Sequence, residues 1–265
     1  MVESHIASRR NPRIQTVRRL QRSRRARQEA GLWVAEGVRL AEEALAAGWL
    51  PQWALYTARL SPRAQAVVDA LQRRAVPLWE VSEEVFAAAS ATQTPQGILL
   101  VLRRRTLPWP EEAGFVLWLD GVRDPGNAGT MLRTAWAAGV EGAVLSPETV
   151  DVFNPKVVRA AMGAHFHLPL QRLGWDAALK VMTGKTVFLA AAREGLPYDR
   201  VDFRQPLVLV VGGEAEGAGE TARAMATQMV HIPMPGEAES LNAAVAAAVL
   251  LFEVVRQRRS SGRSP

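Results

Sequence analysis

Two α/β units in tandem, the second built on a parallel sheet, are the fold this sequence predicts. Three observations lead there. Short apolar runs alternate with helical patterns along the whole chain, and most clearly after residue 114. Arg103–Ala113 interrupts that alternation with charge, Pro108 and Pro110, and no apolar period. Three apolar runs in the second half end in polar, glycine-bearing turns, where a parallel sheet presents its ligand sites. The length of 265 residues suits one large domain or two modest ones, enough to bury a sizeable core.

The first half reads as a small unit over 1–104. Residues 9–28 are helix-compatible, with Ile14, Val17 and Leu20 at helical spacing among arginines. Trp33–Ala35 reads as a short strand. Val38–Ala47 reads as an amphipathic helix closed by Gly48. Trp53–Tyr56, Pro77–Val81 and Ile98–Leu102 are further expected strands, with helices at Pro62–Arg74 and Glu83–Ala89 between them. Residues 105–113 are the expected linker. The second domain is expected over 114–258, with strands at 115–119, 142–145, 186–191, 207–211 and 229–232. Its helices are expected at 129–138, 155–162, 175–182, 218–226 and 240–256. Strands separated by helices imply a parallel sheet covered on both faces. Residues 259–265 are expected as a disordered tail.

Composition narrows the function. The chain has no cysteine, so disulfides and thiolate metal sites are excluded. It has no run of 18 apolar residues, so no spanning helix is expected. The N-terminus is arginine-rich without an apolar core, unlike a secretory signal, so a cytoplasmic protein is expected, with no membrane partner. The net charge of +6 is uneven: nine arginines and no carboxylate lie between Arg9 and Arg27. Arginine neutralises phosphates and releases counterions, so this cluster predicts nucleic-acid binding, with Arg9, Arg10, Arg13, Arg18, Arg22 and Arg25 as candidate contacts. Arg256, Arg258, Arg259 and Arg263 form a second basic cluster, assigned mainly to the tail.

The common motifs exclude more than they offer. Gly212–Gly219 has the wrong spacing and place for a dinucleotide fingerprint. Thr183-Gly184-Lys185-Thr186 ends like a phosphate loop, but position 179 is Leu where its glycine should be. His165 and His167 would share one face of a strand, yet no third ligand has a sensible spacing, so no metal is expected. No nucleophile elbow is present.

The chemistry lies in the three turns. In Asn127-x-Gly129-x-x-x-Arg133, the arginine could fork a phosphate or pair with Asp124, and Asn127 could cap the helix or close the turn. Gly126 and Gly129 could allow unusual dihedrals or a close backbone approach. In Gly212-Gly213-Glu214, the glycines could admit a flat ligand, and Glu214 could cap a helix. After Ile232-Pro233-Met234, Ser240-Leu241-Asn242 opens a helix with Ser240 as a candidate cap. Ala243–Ala248 is rich in small residues and suits close packing against its own sheet or a second subunit.

Taken together, these motifs resemble the three signatures of the SpoU (TrmH-type) RNA methyltransferases of the SPOUT class. Asn154–Gly163 resembles the segment that links them, with Ala161 where the family often carries Ser. The match covers about 115–258. Trp33–Gly37 and Thr94–Gly97 resemble the family's ribosomal-protein-like RNA-binding domain. The resemblance implies a deep C-terminal trefoil knot, a homodimer with its site at or near the subunit interface, and S-adenosylmethionine as cofactor. It implies a cofactor pocket at Gly212, Gly213, Ile232 and Leu241, with Ala191 adding to it. It implies Arg133 as the catalytic residue, supported by Asn127, Ser240 and Asn242, with Glu214 as the motif-two acid. The implied reaction is methyl transfer to a ribose 2′-hydroxyl of RNA, with ribosomal RNA expected as the substrate. Transfer RNA, a resistance-type methylation of one ribosomal nucleotide, and a non-catalytic RNA-binding or ribosome-assembly role are the alternatives.

Overall fold

The computed structural model describes residues 5–213, 217–236 and 238–260. It divides into two compact units, residues 1–105 with 153–166, and residues 106–152 with 167–265.

In the first unit, β1 (His5–Ile6) precedes α1 (Pro12–Arg22) and α2 (Arg24–Ala30). Asn11 caps α1 ahead of Pro12, and Ile14, Val17 and Leu20 are its buried face. The single helix expected over 9–28 is broken at Ser23, whose extended backbone lets its side chain cap α2. Then follow β2 (Leu32–Glu36), α3 (Val38–Ala46), β3 (Trp53–Tyr56), α4 (Pro62–Arg73), β4 (Leu78–Val81), α5 (Glu83–Ala89) and β5 (Ile98–Arg103). The sheet order is β1-β4-β3-β5-β2. β5 runs antiparallel to both neighbours, and Ile98–Leu102 is buried throughout, as a covered strand must be.

The second unit starts with β6 (Phe115–Asp120), α6 (Pro125–Ala137) and β7 (Gly142–Leu145). The next helix, α7 (Pro155–Ala161), lies in the stretch that packs with the first unit. The second unit resumes with β8 (Leu170–Arg172), α8 (Trp175–Met182), β9 (Thr186–Ala190), β10 (Leu196–Pro197), β11 (Leu207–Gly212), α9 (Glu220–Met225), β12 (Gln228–His231) and α10 (Ala243–Ser260). The sheet order is β10-β12-β9-β11-β6-β7-β8, with every pairing parallel. The expected parallel α/β class is therefore observed. The short strands β1, β8 and β10 were not expected.

Two placements differ from expectation. His165 and His167 do not share a strand: His165 is in a 3₁₀ turn, Ala164–Phe166, and His167 follows it. His165 is buried among Trp33, Phe153 and the first unit's other rings, while His167 lies flat on Trp136 of the second unit. A three-residue turn has no period-two face, so strand geometry never applied. The second difference is at the C-terminus, where α10 runs to Ser260. Arg256 pairs with Glu253, and Arg258 donates to the carbonyls of Gly114 and Gln205. These two arginines serve the fold; Arg263 lies outside the described residues. No helix among the described residues is long and apolar enough to cross a membrane.

Candidate active site

In a parallel sheet all carboxyl ends fall on one edge, and the three predicted turns leave from the ends of β6, β11 and β12. The first turn is short because α6 starts early. Asp124 is its N-cap, accepting the Asn127 N–H at 2.7 Å, and Pro125 opens the helix with its fixed φ. Asn127 is thus inside the first turn, not the cap. Asp124 is committed to the helix end, so it is not the ion-pair partner of Arg133. Gly126 and Gly129 are helical, and neither has a positive φ. Arg133 is exposed and has no hydrogen-bond or ion-pair partner among the described residues. Six residues along an α-helix carry it about 9 Å from Asn127 and roughly 120° around the axis, so the two side chains leave different faces.

The third turn also differs in detail. Asn242, not Ser240, caps α10: its Oδ1 accepts the N–H groups of Ala244 at 2.9 Å and Val245 at 3.3 Å. Ser240 is exposed two residues earlier. The freed Asn242 Nδ2 donates to Asn127 Oδ1 at 3.0 Å. One hydrogen bond thus joins two turns that lie 115 residues apart.

Beside this bond opens a cavity of about 480 Å³, a typical size for a small-ligand site. Its walls are Ala190, Ala191 and Ala192 after β9, Val211, Gly212, Gly213 and Gly217 around the end of β11, and Ile232 and Met234 after β12. Ser240, Leu241, Asn242, Ala243, Ala246 and Leu250 close it. The residues expected around the cofactor, Gly212, Gly213, Ile232, Leu241 and Ala191, all line it, as do Ser240 and Asn242. Asn127 and Arg133 do not, and Glu214 lies outside the described residues. The glycines answer first to their own backbone. A Cβ on Gly212 would sit 2.3 Å from the Ala218 nitrogen, and one on Gly213 would sit 2.5 Å from the Gly121 carbonyl oxygen.

The same edge is braced at the ends of β6, β7 and β8. Ser146 Oγ accepts the Gly121 N–H at 2.9 Å, and Thr149 donates its hydroxyl to the Leu119 carbonyl at 2.8 Å. Arg172 donates to the carbonyls of Ser146, Pro147, Thr149 and Val150, which holds that loop in place. Asp120 ends β6 with Oδ2 accepting the Gly219 N–H at 2.9 Å. Burial raises its pKa, the Gly219 N–H opposes that rise, and Glu148 adds to it. Sequence reading assigned no role to Asp120, Ser146, Thr149 or Arg172, and quoted Met234 in the third motif without giving it one. Of the first four, only Asp120 left a signal: a carboxylate closing an otherwise apolar strand. Among the described residues no group of three or more His, Asp or Glu could hold a metal ion.

In the first unit the arginine cluster separates into classes. Arg9 pairs with Glu84 at 2.7 Å and Arg25 with Glu29 at 2.6 Å. Arg13 lies 3.7 Å over the Trp79 ring, and Arg10 is exposed. Arg27 turns inward to the Leu20 carbonyl at 2.6 Å, so it closes the end of α1. Arg18 and Arg22 line an open concavity on α1 with Arg19, which had not been singled out.

Two family models match. The SpoU rRNA Methylase family matches residues 114–252, and the MRM3-like substrate binding domain matches residues 11–100. The chain is 32% identical to the 23S rRNA (guanosine(2553)-2′-O)-methyltransferase RlmP of Bacillus subtilis, over 94% of this chain and 98% of that protein. An AdoMet-bound rRNA methyltransferase from Sinorhizobium meliloti superposes with a TM-score of 0.84 at 32% identity, over 95% of this chain and 97% of that one. The SpoU methyltransferase AviRb from Streptomyces viridochromogenes, in complex with AdoMet, superposes with a TM-score of 0.83 at 29% identity, over 94% of this chain and 100% of that one.

Proposed function

We propose that this chain, which belongs to the SpoU rRNA methylase family, methylates a ribose 2′-hydroxyl of ribosomal RNA with S-adenosylmethionine as the methyl donor. The observation that carries this reading is the Asn242–Asn127 hydrogen bond, which joins the substrate-side turn to a residue lining the cavity. The cavity suits the cofactor. Ala190, Ala191, Ala192 and Gly217 leave room for a nucleoside, Ile232, Leu241 and Leu250 give it apolar cover, and Ser240 and Asn242 add polar groups. Ala191, Gly212, Gly213, Ile232 and Leu241 would hold it.

When bound, the sulfonium supplies an activated methyl group, which leaves the chain to align the ribose and dispose of one proton. Arg133 is the catalytic residue in this reading. A guanidinium is effectively always protonated, so it serves as a charged fork: it clamps a neighbouring phosphate and stabilises the developing 2′-alkoxide. The proton goes to the RNA phosphate, to water or to a nearby side chain. Asn127, Ser240 and Asn242 support the substrate side, with Glu214 as the second motif's acid. Arg18, Arg19 and Arg22 form the phosphate-attracting face of an N-terminal RNA-binding domain over 1–104.

The wider reading is a cytoplasmic homodimer whose C-terminal segment is threaded as a trefoil knot. The strand order supports the knot, since β9 separates β11 from β12 and β11 separates β9 from β6. Support for the dimer comes from Val245 and Phe252, which leave α10 half-exposed, and from Arg133, which has no partner among the described residues. The experiment is labelled-methyl transfer onto ribosomal RNA from a strain lacking the protein, with the modified ribose mapped. Label on one 2′-oxygen is expected. Label on a base sinks the assignment, and label only on transfer RNA changes the substrate.

A further inference from the structure

A carboxylate is buried at the point where β6 leaves the sheet, and none of the three turns as read from sequence uses it. Asp120 is 6% exposed and ends a strand whose other residues, Phe115–Leu119, are all buried and apolar. A carboxylate in such a place costs stability unless hydrogen bonds compensate it. It pairs in register with Gly212, which lines the cavity. Its Oδ2 reaches past β11 to the Gly219 N–H at 2.9 Å. Gly217, two residues earlier, also lines the cavity, and its N–H returns to the Gly213 carbonyl at 3.1 Å. The loop after β11 is therefore closed on itself at Gly213 and Gly217, and fastened to β6 at Gly219.

The geometry points to Asp120 as a positioning residue: by holding Gly219, it sets the wall that Gly212, Gly213 and Gly217 give the cofactor cavity. This rests on the methyltransferase reading above. Burial raises the pKa of Asp120, as expected for a carboxyl retained at a cost because the loop needs an acceptor at that point. An apolar residue would continue the strand with no such cost, so stability alone does not account for an aspartate here.

The test compares Asp120→Ala and Asp120→Asn in the full chain, by calorimetry with S-adenosylmethionine and by methyl transfer with that donor varied at saturating RNA. Losing a charge-assisted bond that shapes the wall predicts a rise of about tenfold in Kd and KM for the donor in Asp120→Ala. The kcat should stay within about twofold, because the reacting groups are untouched. Asp120→Asn keeps a carbonyl acceptor at the same place and should restore most of the affinity. A merely structural defect would instead lower the active fraction, and so kcat, at unchanged KM. Unchanged donor affinity in Asp120→Ala overturns the inference, as does an Asp120→Asn variant no better than Asp120→Ala. Should Asp120→Ala fail to fold, amide exchange on the wild-type chain decides. The Gly219 amide is expected to exchange at least roughly tenfold slower than an unstructured amide, and free exchange overturns the proposal. Wild-type protein that binds no donor would sink the methyltransferase reading itself, a separable result.

Discussion

Asn242→Ala should cost more than its exposed position suggests, because one side chain makes three bonds. Its Oδ1 accepts from Ala244 and Val245, and its Nδ2 donates to Asn127. Losing an N-cap costs about 1 kcal/mol. A neutral, partly exposed side-chain hydrogen bond adds about 0.5–1 kcal/mol. The sum of about 2 kcal/mol corresponds to a fall in Tm of roughly 4–8 °C in a chain of this size.

Asn242→Ser divides the two effects. Serine is a good N-cap, so most of the stability should return, but its short side chain does not reach Asn127. The Tm of Asn242→Ser should lie about 1–4 °C below wild type, the share of the lost Asn127 bond alone. Its kcat/KM for methyl transfer should fall about tenfold, since the substrate-side turn is no longer held to the cavity. Thermal melts of Asn242→Ser, Asn127→Ala and the variant carrying both changes close a double-mutant cycle that isolates the link. A coupling of about 0.5–1 kcal/mol is expected. Simple additivity, or an Asn242→Ser variant with full activity, refutes the claim that this bond joins the two halves of the site.

Arg133→Lys should lower kcat by about a hundredfold while leaving the melting curve unchanged, because a lysine cannot reproduce the fork and the residue has no partner among the described residues. Near-full turnover in that variant rules out the fork. Replacing Arg18, Arg19 and Arg22 together by Ala should weaken RNA binding and flatten the log–log salt dependence by about 2, at about 0.7 per lost phosphate contact. The pair Arg9→Ala and Arg25→Ala should change that slope far less, since Glu84 and Glu29 already neutralise them. Glu253 carries an acid signature. The Arg256 guanidinium, against the opposing effect of burial and with help from Gln257, lowers its pKa from the ordinary 4.5. Its stabilising contribution is therefore complete above about pH 4.5 and lost as pH falls through the lowered value. The Tm advantage of wild type over Glu253→Gln should be positive near neutrality and shrink below that pH. A difference that does not vary with pH removes the ion pair as its source.

Most elements were legible because burial writes a period into the sequence. The runs 115–119 and 207–211 are apolar at every position, and the structure makes them adjacent parallel strands. Strands of two or three residues left no such trace. β10 has a single large apolar residue, Leu196, and that residue is about half exposed. The break at Ser23 was legible only in principle: a serine within an arginine run can be a solvated helix position or a cap, and its extended backbone decides.

The errors inside the site share one cause. Asp124 and Asn127, like Ser240 and Asn242, offer two capping side chains within three residues, and propensity ranks them almost equally. What separates them is geometry the sequence does not carry. Pro125 favours a helix that begins at once, so the cap falls on Asp124 and Asn127 is carried into the first turn. There its side chain is free to meet Asn242, which itself has one atom left after capping α10. Had the sequence-level caps been correct, Asn127 would have spent its oxygen on its own helix, and no bond would join the two turns. The displacement of each cap by two or three residues is thus what makes the site continuous. It also explains why the motifs, each ordinary as a helix start, carry their chemistry only together.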